Sequence, residues 1–336
     1  MTARETPPLR YLAADAVRAA MPPLAARLRL AERTLTALVA GAELPPKIGV
    51  HPRPDGSFAH AMPAHLRGQD PAGSGDLLGI KWIAGFPGNV GAGLPAIHGL
   101  VLVTDPLTGL PTAILDAGPI TAERTAAISG VAIRRFAPGV AGRAVRGAIL
   151  GAGVQARSHL AVLGSVLPGV ELTLFDRHPE RAEALASIAA QTAGIAAATT
   201  APTARDATAG ADVIVTAASF APADRRQVLT DDWLATDALV VAVDYATYVA
   251  ASVARSAGLF LVDERRQFLA NREAGNFDDY PDPSATLGEA ILAGTTRAPR
   301  GRALVTHLGV GLADLVFSDA IVAEAAERGL GVLLPR

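Results

Sequence analysis

In the stretch Val145-Arg-Gly-Ala-Ile-Leu-Gly151-Ala-Gly153-Val-Gln-Ala156, an apolar run feeds a glycine turn that opens a helix. A second apolar run, Glu171-Leu-Thr-Leu-Phe, ends in Asp176, twenty residues past Ala156. This order of parts suits the binding of a dinucleotide. Gly151 permits a tight strand-to-helix turn, Gly153 lets backbone N–H groups approach a pyrophosphate, and Ala156 is small enough for close helix–strand packing. Val154 and Gln155 begin the helix, whose positive dipole end then faces the phosphates. Asp176 is placed to accept hydrogen bonds from the adenosine ribose and to repel a 2′-phosphate. Arg177 beside it argues the other way, since an arginine there can accommodate NADP. The expectation is NAD in preference to NADP.

Three further charged residues stand where chemistry is the simplest account of them. Lys81 falls inside the β-type run Leu77–Ile83, where an ammonium needs a partner; a substrate carboxylate would supply one, and desolvation would tune the amine for proton transfer. Arg124 opens a helix expected over Thr121–Phe136, where a cation opposes the dipole unless an anion is bound. Asp244 ends the run Ala238–Asp244, and strand C-termini of an open α/β sheet face the ligand crevice. It is either the acid that meets a substrate amine or the cap of the following turn. Ala217 ends the run Asp212–Ala217 in the same way, and His307 follows Ala303–Thr306 near the expected place of a nicotinamide. His51, His60 and His65 lack the spacing of a zinc site, so no metal is expected. Asp263-Glu-Arg-Arg-Gln267 reads as a solvated segment at a strand end.

The elements that must position these residues fall into two textures. Residues 12–42 have helical spacing, with Pro22-Pro23 starting a second helix. Lys47 to Gly118 carries short β-type runs at Ile48–Val50, Phe58–Met62, Leu77–Ile83, Ile97–Thr104 and Pro111–Asp116, with Asp105–Gly109 as a hairpin loop. From Ala144 onward strands alternate with helices, the signature of a parallel sheet with right-handed crossovers. The Ala/Thr-rich stretch 187–209 reads as a helix and a loop, and Gly311–Arg328 as a closing helix.

Composition narrows the class. The chain has 336 residues, half of them apolar, a mean hydropathy of +0.30, a net charge of −2 and no cysteine. That length allows two domains with ample core. Near-neutral charge offers no footprint for nucleic acid or an anionic membrane, and lack of cysteine excludes disulfides and thiolate catalysis. The first residues, with Arg4, Glu5 and Arg10, do not read as a secretory signal; a cytoplasmic protein is expected.

A second block, Gly79-Ile-Lys81-Trp-Ile-Ala-Gly-Phe-Pro87-Gly-Asn89, is followed by Gly93-Leu-Pro95 and by Thr121-Ala-Glu-Arg124-Thr125-Ala. With Pro45-Pro-Lys47, Met62-Pro63-Ala64 and the glycine turn, it resembles the ornithine cyclodeaminase/μ-crystallin family over nearly the whole chain. The resemblance implies an α/β fold in which a substrate-binding and dimerisation region (1–122, with a return over 308–336) accompanies a Rossmann NAD-binding domain (123–307). It implies a homodimer acting at the Cα–N bond of a small amino acid or its imine, by net redox or by cyclodeamination. The alternative is a non-catalytic protein of μ-crystallin type that holds NAD(P)H and a small ligand. By the same resemblance Lys81 and Arg124 bind the substrate carboxylate, Lys81 being the leading acid/base. Met62 and His98 line the substrate pocket, and Thr125 borders the cofactor. Lys47 occupies a carboxylate-binding slot in which the family commonly has arginine. Many relatives place the amine-side aspartate two positions later than Asp244.

Overall fold

The computed structural model describes residues 6–54, 56–68, 75–298 and 300–336; Arg4 and Glu5 lie outside them. In chain order the first elements are β1 (Leu9–Leu12), α1 (Ala14–Ala19), α2 (Leu24–Val39), β2 (Ile48–Val50), β3 (Phe58–Leu66), β4 (Leu77–Gly85), β5 (Ile97–Thr104), β6 (Pro111–Asp116) and α3 (Ala117–Phe136). There follow β7 (Arg146–Leu150), α4 (Val154–Val166), β8 (Val170–Phe175), α5 (Pro179–Ala189), β9 (Ile195–Thr200), α6 (Ala204–Thr208) and β10 (Val213–Thr216). Then come β11 (Leu239–Ala242), α7 (Ala251–Ser256), β12 (Leu259–Val262), α8 (Arg265–Glu273), β13 (Ala285–Thr286), α9 (Leu287–Leu292) and β14 (Ala303–Thr306). The chain closes with α10 (Gly311–Glu327) and β15 (Val332–Leu334). Two compact units result: Met1–Arg124 with Val310–Arg336, and Thr125–Gly309.

The first unit is built on a seven-stranded sheet in the order β15-β1-β6-β5-β4-β3-β2. From β2 to β6 it is an antiparallel meander, and β1 joins β6 in parallel. The turn between β5 and β6 is tied by the Asp105 carboxylate, which accepts the N–H groups of Leu107 and Thr108 at 2.9 Å. Along β4 the odd-numbered residues Leu77, Gly79, Lys81, Ile83 and Gly85 are buried, while Trp82 between them is 48% exposed. This period of two marks one covered face and one open face. Helix α10 lies directly on the covered face. A methyl group at Gly311 would sit 2.6 Å from the Met62 carbonyl oxygen, so glycine there lets α10 approach the sheet closely enough for the side chain at 314 to meet the one at 81. At Gly79 a methyl group would collide with the Leu102 carbonyl oxygen on β5 and sit 2.7 Å from the end of the Leu315 side chain, so the neighbouring strand is what excludes it. β1 and β15 were not expected from the sequence: each has three or four residues, too few for a periodic signal.

The second unit holds an eight-stranded sheet, ordered β13-β12-β14-β11-β10-β7-β8-β9 and parallel throughout. Strands β10, β11 and β14 are buried at every residue, as strands covered on both faces must be. The strand order reverses between β7 and β10, which places a crevice at their carboxyl ends. The expected helix and loop over 187–209 is corrected by β9, an edge strand whose Ala and Thr residues are mostly exposed and so carry no apolar alternation. Under α8 an aromatic cluster of Phe260, Phe268, Phe277 and Tyr280 packs with ring centroids 5.0–6.3 Å apart. Among the described residues no helix is long and apolar enough to cross a membrane.

Candidate active site

Within the first unit, Lys81 points from the covered face of β4 with 1% of its side chain exposed. Its Nζ lies 2.6 Å from Oδ2 of Asp314, a carboxylate in the first turn of α10 with no exposure at all. Arg124 reaches the same carboxylate from α3, its Nε donating to Oδ1 at 3.2 Å. Burial is the largest influence on Lys81 and drives its pKa down to about 7; Asp314 opposes the fall, while the charges of Arg124 and Lys47 add to it. Burial would raise the pKa of Asp314, but the two cations together hold it below the usual carboxylate range. Two cations thus share one anion, and the net positive charge suits a ligand carboxylate.

Neighbouring strands extend this face. Met62 is the direct cross-strand partner of Lys81, and His60 the partner of Ile83. Burial, then the charges of Lys47, His51 and Lys81, lower the pKa of His60 to about 4, so it is neutral at physiological pH. Lys47, half-buried ahead of β2, is therefore felt electrostatically by both His60 and Lys81. His98 is not brought to this group. It pairs with Ala84 on β5, which puts it on the open face with Trp82, Leu100 and Asp116 around a depression of about 320 Å3. The expectation that His98 lines the substrate pocket is corrected accordingly: the period of two sends it to the side of the sheet opposite Lys81.

The second unit forms the glycine turn as the spacing requires. Gly151 has φ +102°, and a methyl group there would stand 2.6 Å from the carbonyl oxygen of Ala217. Gly153 caps α4 with open space beside it, and no acid sits in the first helical turn. Ala156 is fully buried, whereas Val154 in that first turn is 72% exposed. A glycine cap with open space beside it and no acid in the first turn leaves the N–H end of the helix open to the phosphates of a dinucleotide. Asp176 follows β8 and braces the turn, accepting the Ala152 N–H at 2.8 Å and the His178 N–H at 2.9 Å; Arg177 next to it is exposed. Thr125, the first residue of this unit, is buried on α3.

Asp244 lies at the carboxyl edge of β11 but is only 4% exposed. Its Oδ1 accepts from Thr216 at 2.9 Å, and the N–H groups of Ala218 and Tyr248 also point at the carboxylate. Burial raises its pKa to about 6 against these donors. The side chain joins the ends of β10 and β11, so the structure favours bracing over contact with a substrate amine. The segment expected to be solvated, Asp263 to Gln267, is corrected in two residues. Asp263 is buried and accepts the N–H groups of Leu308 at 3.0 Å and Gly309 at 2.7 Å, while the Gln267 amide donates to the Gly309 carbonyl at 3.1 Å.

His307, beyond β14, belongs to a buried chain. Its Nε2 lies 2.8 Å from Ser129 Oγ, which lies 2.8 Å from Nε2 of His159; Nδ1 of His159 in turn lies 2.6 Å from the Gln155 carbonyl. That carbonyl can only accept, so His159 carries its proton on Nδ1. Ser129 then donates to His159, and His307 donates to Ser129. The sequence reading missed Asp314, Ser129, His159 and Tyr248, the last being a half-buried phenol whose pKa is pushed to about 12 by burial and by Asp244 and Asp176. Of thirty Lys and Arg residues only two are lysines, Lys81 and Lys47, and the charge of Lys47 is felt at Lys81.

A family model described as "Ornithine cyclodeaminase/mu-crystallin family" matches residues 15–295. The chain is 34% identical over 333 residues to the Rhizobium meliloti nodulation efficiency protein NfeD, covering 97% of this chain and 98% of that protein. It is 29% identical over 269 residues to the mouse ketimine reductase mu-crystallin, covering 79% of each. Among solved structures, a Thermococcus litoralis Δ1-pyrroline-2-carboxylate reductase in complex with NADH and L-proline superposes with a TM-score of 0.83 at 24% identity, over 97% of this chain and all of that one.

The histidine chain has a consequence for stability. His159 is completely buried and its pKa falls from 6.5 to about 4, chiefly through desolvation. Below pH 6.5 the unfolded chain takes up a proton that the folded chain refuses, so stability is lost as pH drops toward 4. The expected loss from this residue between pH 7 and pH 5 is about 2 kcal/mol. Urea denaturation at the two pH values should show a clearly shallower loss in His159→Gln than in the wild type. Equal slopes would remove His159 from the account.

Proposed function

This chain belongs to the ornithine cyclodeaminase/mu-crystallin family, and we propose that it is an NAD-dependent oxidoreductase acting at the Cα–N bond of a small amino acid or its imine. The observation that carries this reading is the buried Lys81–Arg124 pair sharing one carboxylate in a chain that also builds a dinucleotide turn. Net imine reduction is favoured over cyclodeamination. Cyclodeamination needs a group for a second, distal amine, and the carboxylate nominated for it, Asp244, is engaged in bracing two strand ends.

In this reading Lys81 and Arg124 hold the substrate carboxylate and so fix the position of Cα. When bound, the nicotinamide supplies the hydride that reduces the imine carbon, or accepts it in the reverse direction. The imine nitrogen also requires a proton. Lys81, at about 7, gives one up near neutral pH where an arginine would not. The chain's main contribution is orientation. The glycine turn and α4 take the pyrophosphate, and Asp176 takes the ribose.

The assay is NADH oxidation with a cyclic ketimine such as Δ1-pyrroline-2-carboxylate, run beside ammonia release from ornithine with catalytic NAD. Imine-dependent oxidation of NADH is expected. Ammonia without net NADH change would instead establish a cyclodeaminase, and neither reaction despite tight NADH binding would favour a ligand-binding protein. Lys81→Ala and Arg124→Ala should each cost at least ~10²-fold in activity. NADH affinity should be unchanged, since neither residue belongs to the nucleotide unit; a variant with wild-type turnover would strike its residue from the site.

Because Asp176 would face a 2′-phosphate with like charge, NADH should bind at least about tenfold more tightly than NADPH. Fluorescence titration showing the reverse order would assign the ribose end to Arg177.

The open face of the first sheet bears Trp82 and Leu100, a cross-strand pair in which each residue is more than 40% exposed. That apolar surface supports a homodimer in which a second copy covers it. Light scattering should give a dimeric mass for the wild type and a monomeric one for a Trp82→Glu, Leu100→Glu double variant. An unchanged mass in the variant would place the interface elsewhere.

A further inference from the structure

Asp314 stands alone as an acid in the first half of α10, among Gly311, Leu312, Ala313, Leu315, Val316 and Phe317, all buried. A carboxylate in such surroundings is costly unless cations and a helix N-terminus meet it. Here both do. It sits in the first turn of a seventeen-residue helix, 2.6 Å from Lys81 Nζ and 3.2 Å from Arg124 Nε. Its full burial keeps it from leaving with solvent or being displaced by a ligand. Resting on the reading of Lys81 and Arg124 as the carboxylate site, we propose that Asp314 is the positioning residue of that site: it fixes the two cations side by side and acts as the resident counter-ion that resists the loss of the Lys81 proton before substrate arrives.

The groups that bear on Lys81 come from four directions. Asp314 on α10 favours its charged form; Arg124 on α3 and Lys47 ahead of β2 oppose it, as does burial, and His60 on β3 is neutral. Asp314 is thus the charge resisting deprotonation. With it the trio carries one net positive charge, the complement of one carboxylate. Replacing it by asparagine keeps the shape but leaves two buried cations with nothing between them, and Lys81 should release its proton well below neutrality.

The scarcity of lysine makes this measurable without any catalytic assay. Protein labelled with [ε-13C]lysine has only two ε-carbon signals to assign, Lys47 and Lys81, and Lys47→Arg identifies which is which. In the wild type, without cofactor or substrate, the Lys81 signal should titrate near pH 7. In Asp314→Asn its midpoint should fall by at least about one unit. An unmoved midpoint would overturn the proposal whatever the activity of the variant. Acetate, the simplest carboxylate probe, should raise the wild-type midpoint. A midpoint that shifts with the substitution while acetate has no effect on either protein upholds the counter-ion and refutes the carboxylate site, so the two readings fail separately. Should Asp314→Asn fold too poorly for spectroscopy, the Asp314→Asn, Lys81→Met pair should recover folded yield, because folding no longer has to strip a proton from a buried lysine. A double variant no better folded than the single one would count against the counter-ion.

Discussion

Burying an ammonium and a guanidinium between a sheet and a helix is tolerable only if a negative charge is buried with them. That condition governs the first unit. It explains why α10, otherwise apolar in its first two turns, carries an acid in its first turn, and why glycine stands at 311, where the helix meets the backbone of β3. A side chain at Gly311 would force α10 outward and carry Asp314 away from Lys81. The close packing and the charge arrangement are therefore one feature. In the proposed reading, a ligand carboxylate would answer the positive charge left over.

The second unit solves a related problem with the same residue type. Parallel strands end together at the crevice edge, and the loops leaving them expose backbone N–H groups that need acceptors. Asp176 after β8, Asp244 after β11 and Asp263 after β12 each accept N–H groups from a neighbouring loop. Through Asp263 and Gln267 the backbone at Leu308 and Gly309 is fixed on both its donor and acceptor sides. Between these anchors Tyr245 and Ala246 adopt consecutive left-handed conformations, with φ of 53° and 56°. Such backbone persists in residues with a Cβ only where the surroundings enforce it.

How much of this was legible depended on whether a residue's role leaves a local trace. The glycine turn, its flanking strands and Asp176 are contiguous in sequence and were read correctly as a unit. Arg124 was singled out as a cation at a helix start, but α3 begins at Ala117 and places it two turns inside the helix, so that ground is corrected. Lys81 stood out because a charge in an apolar strand conflicts with its local setting. Asp314 conflicts in the same way, yet an acid in a helix's first turn is locally favourable, and that concealed it. Ser129 and His159 could not be read at all, since their meaning lies in contacts made 30 and 178 residues apart. His98 was misplaced through proximity to a motif; counting strand parity from Lys81 across the hairpin would have put it on the other face. Asp263 was misread because it stands in a run of charged residues whose most exposed member, Arg266, does face solvent.

The order in which the chain presents its parts also bears on how it is made. Arg124 and Asp314 are 190 residues apart, with the whole nucleotide unit threaded between them. On a ribosome adding ~5–20 residues per second, the nucleotide unit can collapse on its own core while the sheet that carries Lys81 still waits for its covering helix. During that interval the two cations have water for company and no reason to be buried. The trio of charges therefore forms late, and the first sheet closes only when β15 follows α10 and pairs with β1.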